Sequence, residues 1–102
     1  MACNPLHMPK RSQDVPVEYT EYEGALAKAI GERVRQRRLE LRLTQELVRM
    51  KMEAEGVHTT RARYSRIENG KYLPNAAEII AFMQVFGVSA QWLLIEKSTI
   101  HE

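Results

Sequence analysis

Residues 58–71, HTTRARYSRIENGK, contain three arginines, a lysine and a histidine around a single glutamate. Thr59 or Thr60 is well placed to cap a helix here, because a threonine hydroxyl accepts a hydrogen bond from an unpaired backbone N–H of the first turn. Asn69 and Gly70 are suited to end the helix, since both tolerate the left-handed conformation. The stretch therefore predicts a short and strongly basic helix.

Positive charge is concentrated in the middle of the chain, around this stretch. Residues 28–71 hold 12 Lys or Arg and 6 Glu, a net charge of +6, whereas residues 1–27 and 72–102 each carry a net charge of −2. The overall charge of +2 hides this uneven distribution. A basic segment of this kind is typical of proteins that bind nucleic acids or other anionic surfaces.

The length and composition of the chain suit one small domain. Its 102 residues are 44% hydrophobic and 27% charged, which is ordinary for a soluble globular protein. No apolar run approaches the ~18 residues of a membrane span, and the N-terminal segment lacks an apolar signal sequence. We therefore expect a cytoplasmic protein that does not bind a membrane. Cys3 is the only cysteine, which excludes an internal disulfide and a thiolate metal cluster.

The N-terminal residues 1–18 carry three prolines and show no helical or strand periodicity, so we expect a disordered arm. The pair Lys10-Arg11 in this arm is either solvated or a minor-groove contact. Residues 19–96 form the expected domain, and residues 97–102 form a short C-terminal tail.

Within the expected domain, apolar residues recur at the period of amphipathic helices, and no strand alternation competes with them. Capping and helix-ending residues divide the segment into five short helices. The expected signals are a start between Thr20 and Ala25, caps at Thr44, Thr59 or Thr60, and Ser89, a break at Pro74-Asn75, and helix ends at Gly56, Gly70 and Gly87. The sequence therefore predicts an all-α domain of five helices.

A helical wheel of the third helix, residues 60–69, separates a buried side from a polar side. At about 100° per residue, Tyr64 and Ile67 fall together on the buried side. The opposite side is small and polar, with arginines at its edges: Ala62, Ser65, Arg66 and Asn69, flanked by Arg61 and Arg63. Such a face suits the DNA major groove, about 12 Å wide, where Arg binds guanine and Ser or Asn binds bases or phosphates.

Two further residues of this helix have alternative interpretations. Glu68 lies at the edge of the buried side, so from the wheel alone it is either solvated or paired with Arg38 of the basic first helix. Tyr64 is interpreted as a core residue beside Ile67 in preference to an aromatic that stacks on bases.

The segment IGERVRQRRLELRLTQELV…TTRARYSRIENGKYLPNAAEIIAFMQVFGVSAQWLL resembles the lambda-repressor-like, Cro-type (XRE) helix-turn-helix family. The resemblance covers about residues 25–95. Its specific parts are VRQRR before LTQ, then SRIENGKYLP, and finally FGVSAQWLL, in this order and at suitable spacing. In that family the second helix lies across the DNA backbone and the third enters the major groove.

The resemblance implies roles for individual residues. The base-contacting residues are expected to be Arg61, Ala62, Ser65 and Arg66. The phosphate-contacting residues expected beside them are Thr44, Gln45, Thr60, Arg63, Asn69 and Lys71. The resemblance also implies that an Arg38–Glu68 ion pair ties the first helix to the third.

The sequence departs from the family pattern in three places. The stretch between Thr44 and Glu68 is several residues longer, with EAEGVHTT at 53–60 in the turn, so either the second helix or the turn is extended. The start of the recognition helix is therefore uncertain by a residue or two. Arg42 stands where the family has Gly or another residue that tolerates positive φ, at a cost of about 1 kcal/mol. Arg49 lies where a small alanine normally packs, so we expect a shifted second helix that packs through Leu47 and Val48.

These features predict a sequence-specific double-stranded DNA-binding regulator, a repressor that binds an inverted-repeat operator as a homodimer. Two alternatives remain open. One is an antitoxin-type autoregulator that also binds a toxin; the other is a helical protein-interaction module whose charged face binds an acidic partner without specific DNA binding. The segment from Trp92 onward is either core or a dimer contact.

Catalysis, cofactors and metals are not expected. The only aspartate, Asp14, lies in the arm, and no Ser, His and acid are placed to act together. His58 lies in a turn and the other two histidines lie near the termini, so no metal-ligand spacing joins them. The chain also lacks a glycine-rich phosphate loop.

Overall fold

The computed structural model describes residues 16–95, and these form five successive helices without a strand. The first four are α1 (Val17–Glu40), α2 (Gln45–Ala54), α3 (Arg61–Glu68) and α4 (Ala76–Phe86). The fifth, α5, is a short π-helix at Gln91–Ile95. The prediction of an all-α, five-helix domain is confirmed. None of the helices in this part of the chain is long and apolar enough to cross a membrane.

Helix α1 begins earlier than the sequence analysis predicted. Its N-cap position is held by Pro16, with φ −55°, and no side chain caps it. Proline suits a helix start because its φ is fixed near the helical value and its missing N–H would have no partner there. Residues 17 and 18, assigned to the arm, are therefore helical. The rest of the expected arm, with Lys10-Arg11, and the expected tail lie outside the described residues.

Side-chain caps define the starts of the helices after α1. Thr44, Thr60, Asn75 and Ser89 each accept a hydrogen bond at 2.8–3.1 Å from the backbone N–H three residues on. The predicted caps Thr44, Thr60 and Ser89 are confirmed. At α4 the Glu78 carboxylate also accepts the backbone N–H of Asn75, which completes a capping box.

The link between α1 and α2 contains the backbone strain that the sequence predicted. Arg42 has φ 59° and is the only non-glycine residue with positive φ among residues 16–95. Its backbone N–H donates to the carbonyl of Leu39 at 3.0 Å, so Arg42 stays hydrogen-bonded to the last turn of α1. A left-handed residue that has a Cβ costs about 1–2 kcal/mol, and the rest of the fold must offset this cost.

The hydrophobic core lies where the five helices meet. Its buried residues are Ile30, Val34, Val48, Met52, Tyr64, Ile67, Ala81, Phe82, Phe86 and Leu93. Tyr64 packs edge-on against Phe82 with ring centroids 6.2 Å apart, and Phe82 stacks on Phe86 at 5.7 Å. Tyr64 is therefore a core residue, as predicted.

The packing of α2 differs from the prediction. Val48 and Met52 are buried, four residues apart on one face of the helix, but Leu47 is 42% exposed. Successive residues of a helix lie about 100° apart, so Leu47 turns away when Val48 faces the core. The expectation that Leu47 packs was wrong.

Helices α1 and α3 lie in close contact at Gly31. This residue is buried, and a Cβ built on it would lie 2.7 Å from the carbonyl oxygen of Glu68 and closer still to that of Ile67. These neighbours are backbone atoms at the end of a packed helix, so they cannot move aside cheaply. Only glycine lets α1 lie directly against the C-terminal turn of α3.

We predict that Gly31→Ala destabilises the fold by about 1–3 kcal/mol, because the added methyl group forces α1 and α3 apart. Gly24→Ala is the matched control on the same helix, since nothing lies within 4 Å of its Cβ. There alanine should be neutral or stabilise by up to about 1 kcal/mol. Urea unfolding of both variants measures the difference, and equal stability of the two would contradict the close approach.

Candidate nucleic-acid interface

The carboxylate of Glu68 holds the C-terminal end of α3. Its side chain is 3% exposed and accepts hydrogen bonds from Arg38 Nε at 2.7 Å and Arg38 Nη2 at 3.1 Å. The Tyr64 hydroxyl donates to it at 2.6 Å, and Gln45 Nε2 donates at 3.1 Å. Arg38 and Glu68, the two partners proposed from the sequence, are thus in bidentate contact. This one carboxylate joins α1, α2 and α3.

The protonation states of Arg38 and Tyr64 favour their hydrogen bonds to Glu68. Hydrogen bonding to Glu68 is the main cause that raises the pKa of Arg38, so the guanidinium remains charged. Burial, and then the hydrogen bond to Glu68, raise the pKa of Tyr64 well above its ordinary value. The hydroxyl therefore stays protonated and remains a donor.

A second buried carboxylate, Glu78, holds the N-terminal part of α3. It accepts hydrogen bonds from Arg63 Nε at 2.7 Å, Arg63 Nη2 at 2.8 Å, Thr59 Oγ1 at 2.9 Å and the Asn75 backbone N–H at 2.9 Å. Burial by itself raises the pKa of Glu78, but the donors from Arg63, Asn75 and Thr59 outweigh it and lower the pKa below its usual value. The carboxylate is therefore ionised at neutral pH.

This contact gives Arg63 a structural role. The sequence analysis expected Arg63 at a DNA phosphate, but Glu78 engages two of its nitrogens, and its Nη2 also donates to the carbonyl of Leu73 at 3.4 Å. A buried glutamate without a cationic partner would be strongly destabilising. The structure therefore gives Arg63 a structural role as the partner of Glu78, and the phosphate contact stays a prediction.

The four residues expected to contact bases lie on the side of α3 that is turned away from the core. Arg61, Ala62 and Arg66 are exposed, and Ser65 is half-buried. The Arg61 side chain is 83% exposed, with only a distant ion pair from its Nη2 to Glu46 at 3.9 Å. Arg66 makes no ion pair with any residue between 16 and 95, and its guanidinium lies over the ring of Tyr72. Two arginines on this face therefore keep donors for an outside partner.

The residues expected to contact phosphates lie at or next to the ends of α2 and α3. Thr44, Thr60, Asn69 and Lys71 are exposed. The two threonine hydroxyls accept their cap hydrogen bonds with oxygen, so each keeps its hydrogen to donate elsewhere. Gln45 is half-buried, and one N–H of its amide is used by Glu68, which leaves the second N–H.

The long turn before α3 is anchored by Arg49. Helix α2 ends at Ala54 and α3 begins at Arg61, which settles the register that the sequence left open. Arg49 Nε donates to the carbonyl of Thr59 at 3.0 Å, and its Nη1 pairs with Glu46. Arg49 therefore links α2 to the last part of this turn, which gives its guanidinium a structural role.

We predict that Glu78→Gln destabilises the protein at pH 7 by about 2–3 kcal/mol. This is less than the ~3–5 kcal/mol expected when a fully buried ion pair is broken, because Arg63 is one-third exposed and its charge is partly screened. The folded-state pKa of Glu78 is lowered, so its contribution is complete above the unfolded pKa of about 4.3 and is lost as the pH falls below it. The difference between wild type and variant should therefore shrink between pH 7 and pH 3.

Urea unfolding at several pH values measures this difference. Glu46→Gln is the control, because the carboxylate of Glu46 is 56% exposed and its pairing should contribute less than about 1 kcal/mol at either pH. A Glu78→Gln deficit that stays constant down to pH 3 would show that the charge of Glu78 is not what stabilises α3.

Comparison with known protein families identifies a helix-turn-helix domain in the chain. The model of the helix-turn-helix domain family matches residues 31–98, about two thirds of the chain. No curated protein and no solved structure matches the chain. The matched segment contains α2 and α3, which are the two helices of the motif that docks on DNA in such domains. The chain belongs to the lambda-repressor-like helix-turn-helix family.

Proposed function

We propose that the protein is a sequence-specific regulator of transcription that binds double-stranded DNA in the cytoplasm and acts as a repressor. The observation that carries the proposal is the solvent face of α3. Two buried carboxylates, Glu68 and Glu78, fix this helix at both ends, while Arg61 and Arg66 project from it without a close ion pair among the described residues. A rigid helix with free guanidinium groups suits readout in the major groove.

In this proposal the roles divide between bases and phosphates. Arg61 and Arg66 form bidentate hydrogen bonds to guanine O6 and N7, Ser65 bonds a base edge, and Ala62 leaves room for a thymine methyl group. The phosphate contacts come from Thr44, Gln45, Thr60, Asn69 and Lys71. These contacts carry no sequence information but fix the position of α3 in the groove.

The proposed active form is a homodimer on an inverted repeat. Two-fold symmetry places the two recognition helices about 34 Å apart, one turn of the duplex, so that both meet the same groove face. We assign the dimer contact to the segment from Trp92 onward. Trp92 and Leu94 are half-buried and Ile95 is 68% exposed, so apolar surface is available at this end of the domain.

Selection of bound duplexes from a random pool tests the proposal. We expect enrichment of an inverted repeat whose half-site centres lie about 10 base pairs apart. Affinity for the enriched duplex should fall by about tenfold or more between 50 and 200 mM salt, because each cationic side chain that neutralises a phosphate, such as Lys71 of each protomer, releases counterions. Absence of duplex binding at 50 mM salt would instead favour a protein-interaction module.

Arg66→Ala and Lys71→Ala should behave differently. We expect Arg66→Ala to cost about 1–3 kcal/mol per half-site on the enriched duplex and to relax preference at one base pair of each half-site. Lys71→Ala should weaken binding to all duplexes similarly and, because the homodimer loses two lysines, reduce the salt slope by about 2. Fluorescence anisotropy with the enriched duplex and single-base variants measures both effects. Uniform weakening by Arg66→Ala would reassign Arg66 to a phosphate.

A further inference from the structure

The ring of Tyr72, in the loop after α3, lies close to two guanidinium groups. The carbon at the centre of the Arg63 guanidinium is 5.7 Å from the ring centroid, and that of Arg66 is 5.8 Å from it. Both distances fall within the about 6 Å range of cation–π attraction. Tyr72 is 43% exposed, so the ring lies at the surface beside the recognition helix.

The two arginines differ in how they are held. The guanidinium of Arg63 is bonded to the Glu78 carboxylate, whose residue is 1% exposed, so its position is set by the core. Arg66 has no ion pair with another described residue, and the ring is its only partner that we identify. Because Glu78 neutralises Arg63, repulsion between the two guanidinium groups is reduced, and the ring of Tyr72 can attract both.

A contact of this kind matters for an exposed arginine that reads a base. A free arginine side chain samples many rotamers and loses that freedom when it forms a bidentate contact. A flat ring beneath the guanidinium limits the rotamers before DNA arrives, so less freedom is lost on binding. The connection from Glu78 through Arg63 and Tyr72 to Arg66 thus runs from the core to the DNA face.

We infer that Tyr72 is a positioning residue for Arg66: its ring holds the Arg66 guanidinium in the orientation from which it contacts a base. The inference rests on the proposed DNA-binding function and deepens it. Tyr72 acts through Arg66 and not through its own hydroxyl. The ring is therefore required and the hydroxyl is dispensable.

Double-mutant cycles on the duplex enriched from the random pool test this inference. Tyr72→Leu should reduce discrimination against the base pair read by Arg66 by about two- to fivefold, the size expected of an exposed cation–π contact. Tyr72→Phe keeps the ring and should retain most of the discrimination. In the Arg66→Ala background, Tyr72→Leu should have no further effect on discrimination.

The chain offers two matched controls. Arg61 lies on the same face but has no ring contact among residues 16–95, so Arg61→Ala and Tyr72→Leu should be additive. Tyr22 is an exposed tyrosine of α1, 66% exposed, and Tyr22→Leu should leave discrimination unchanged. Equal effects of Tyr72→Leu with and without Arg66 would overturn the inference. So would a loss with Tyr72→Phe as large as with Tyr72→Leu, because the hydroxyl would then be the contact.

A spectroscopic measurement on the free protein separates failure of the inference from failure of the proposed function. In the wild type, the NMR signals of the Arg66 side chain should show a ring-current shift that Tyr72→Phe retains and Tyr72→Leu abolishes. Absence of this shift in the wild type overturns the inference whether or not DNA binds. A wild type that shows the shift but binds no duplex overturns the proposed function, and the positioning role with it.

Discussion

The structure depends on two buried carboxylates that bind the same short helix from opposite ends. Helix α3 has eight residues, and a helix of that length is not stable in water without tertiary contacts. Glu68, within α3, binds Arg38 of α1, and Glu78 of α4 binds Arg63 within α3. Each pair is bidentate, so each fixes direction as well as distance. The orientation of the helix therefore follows from the positions of α1 and α4.

Many of the arginines that make the chain basic hold the protein together. Arg33 donates to the carbonyl of Leu93 at 3.0 Å and Arg37 to that of Phe86 at 3.0 Å. Arg38, Arg49 and Arg63 bond to glutamates or to carbonyls in turns. The excess of positive charge in the middle of the chain therefore lies within the folded domain. Only part of that charge is available at the surface, because several arginines bond to groups inside the fold.

Two kinds of feature could be predicted from the sequence: those set by neighbouring residues, and the Arg38–Glu68 pair, 30 positions apart, which the family resemblance implied. The five helices and the caps at Thr44, Thr60 and Ser89 depend on residues a few positions apart, whereas the positive φ of Arg42 was implied by the family pattern. The bond between Arg63 and Glu78 was missed because it joins residues 15 positions apart through the placement of α4. The Asn75-x-x-Glu spacing of a capping box was visible in the sequence, but it does not reveal which cation reaches the carboxylate.

The division of α3 into inward and outward residues affects which of its positions can be substituted during evolution. The inward positions Arg63, Tyr64, Ile67 and Glu68 are tied to the core or to its carboxylates. The outward positions Arg61, Ala62, Ser65 and Arg66 make few contacts with the fold. Exchange of the outward residues is therefore nearly independent of folding, so under the proposed function a lineage, or a library of variants, can acquire a new target preference without redesign of the scaffold.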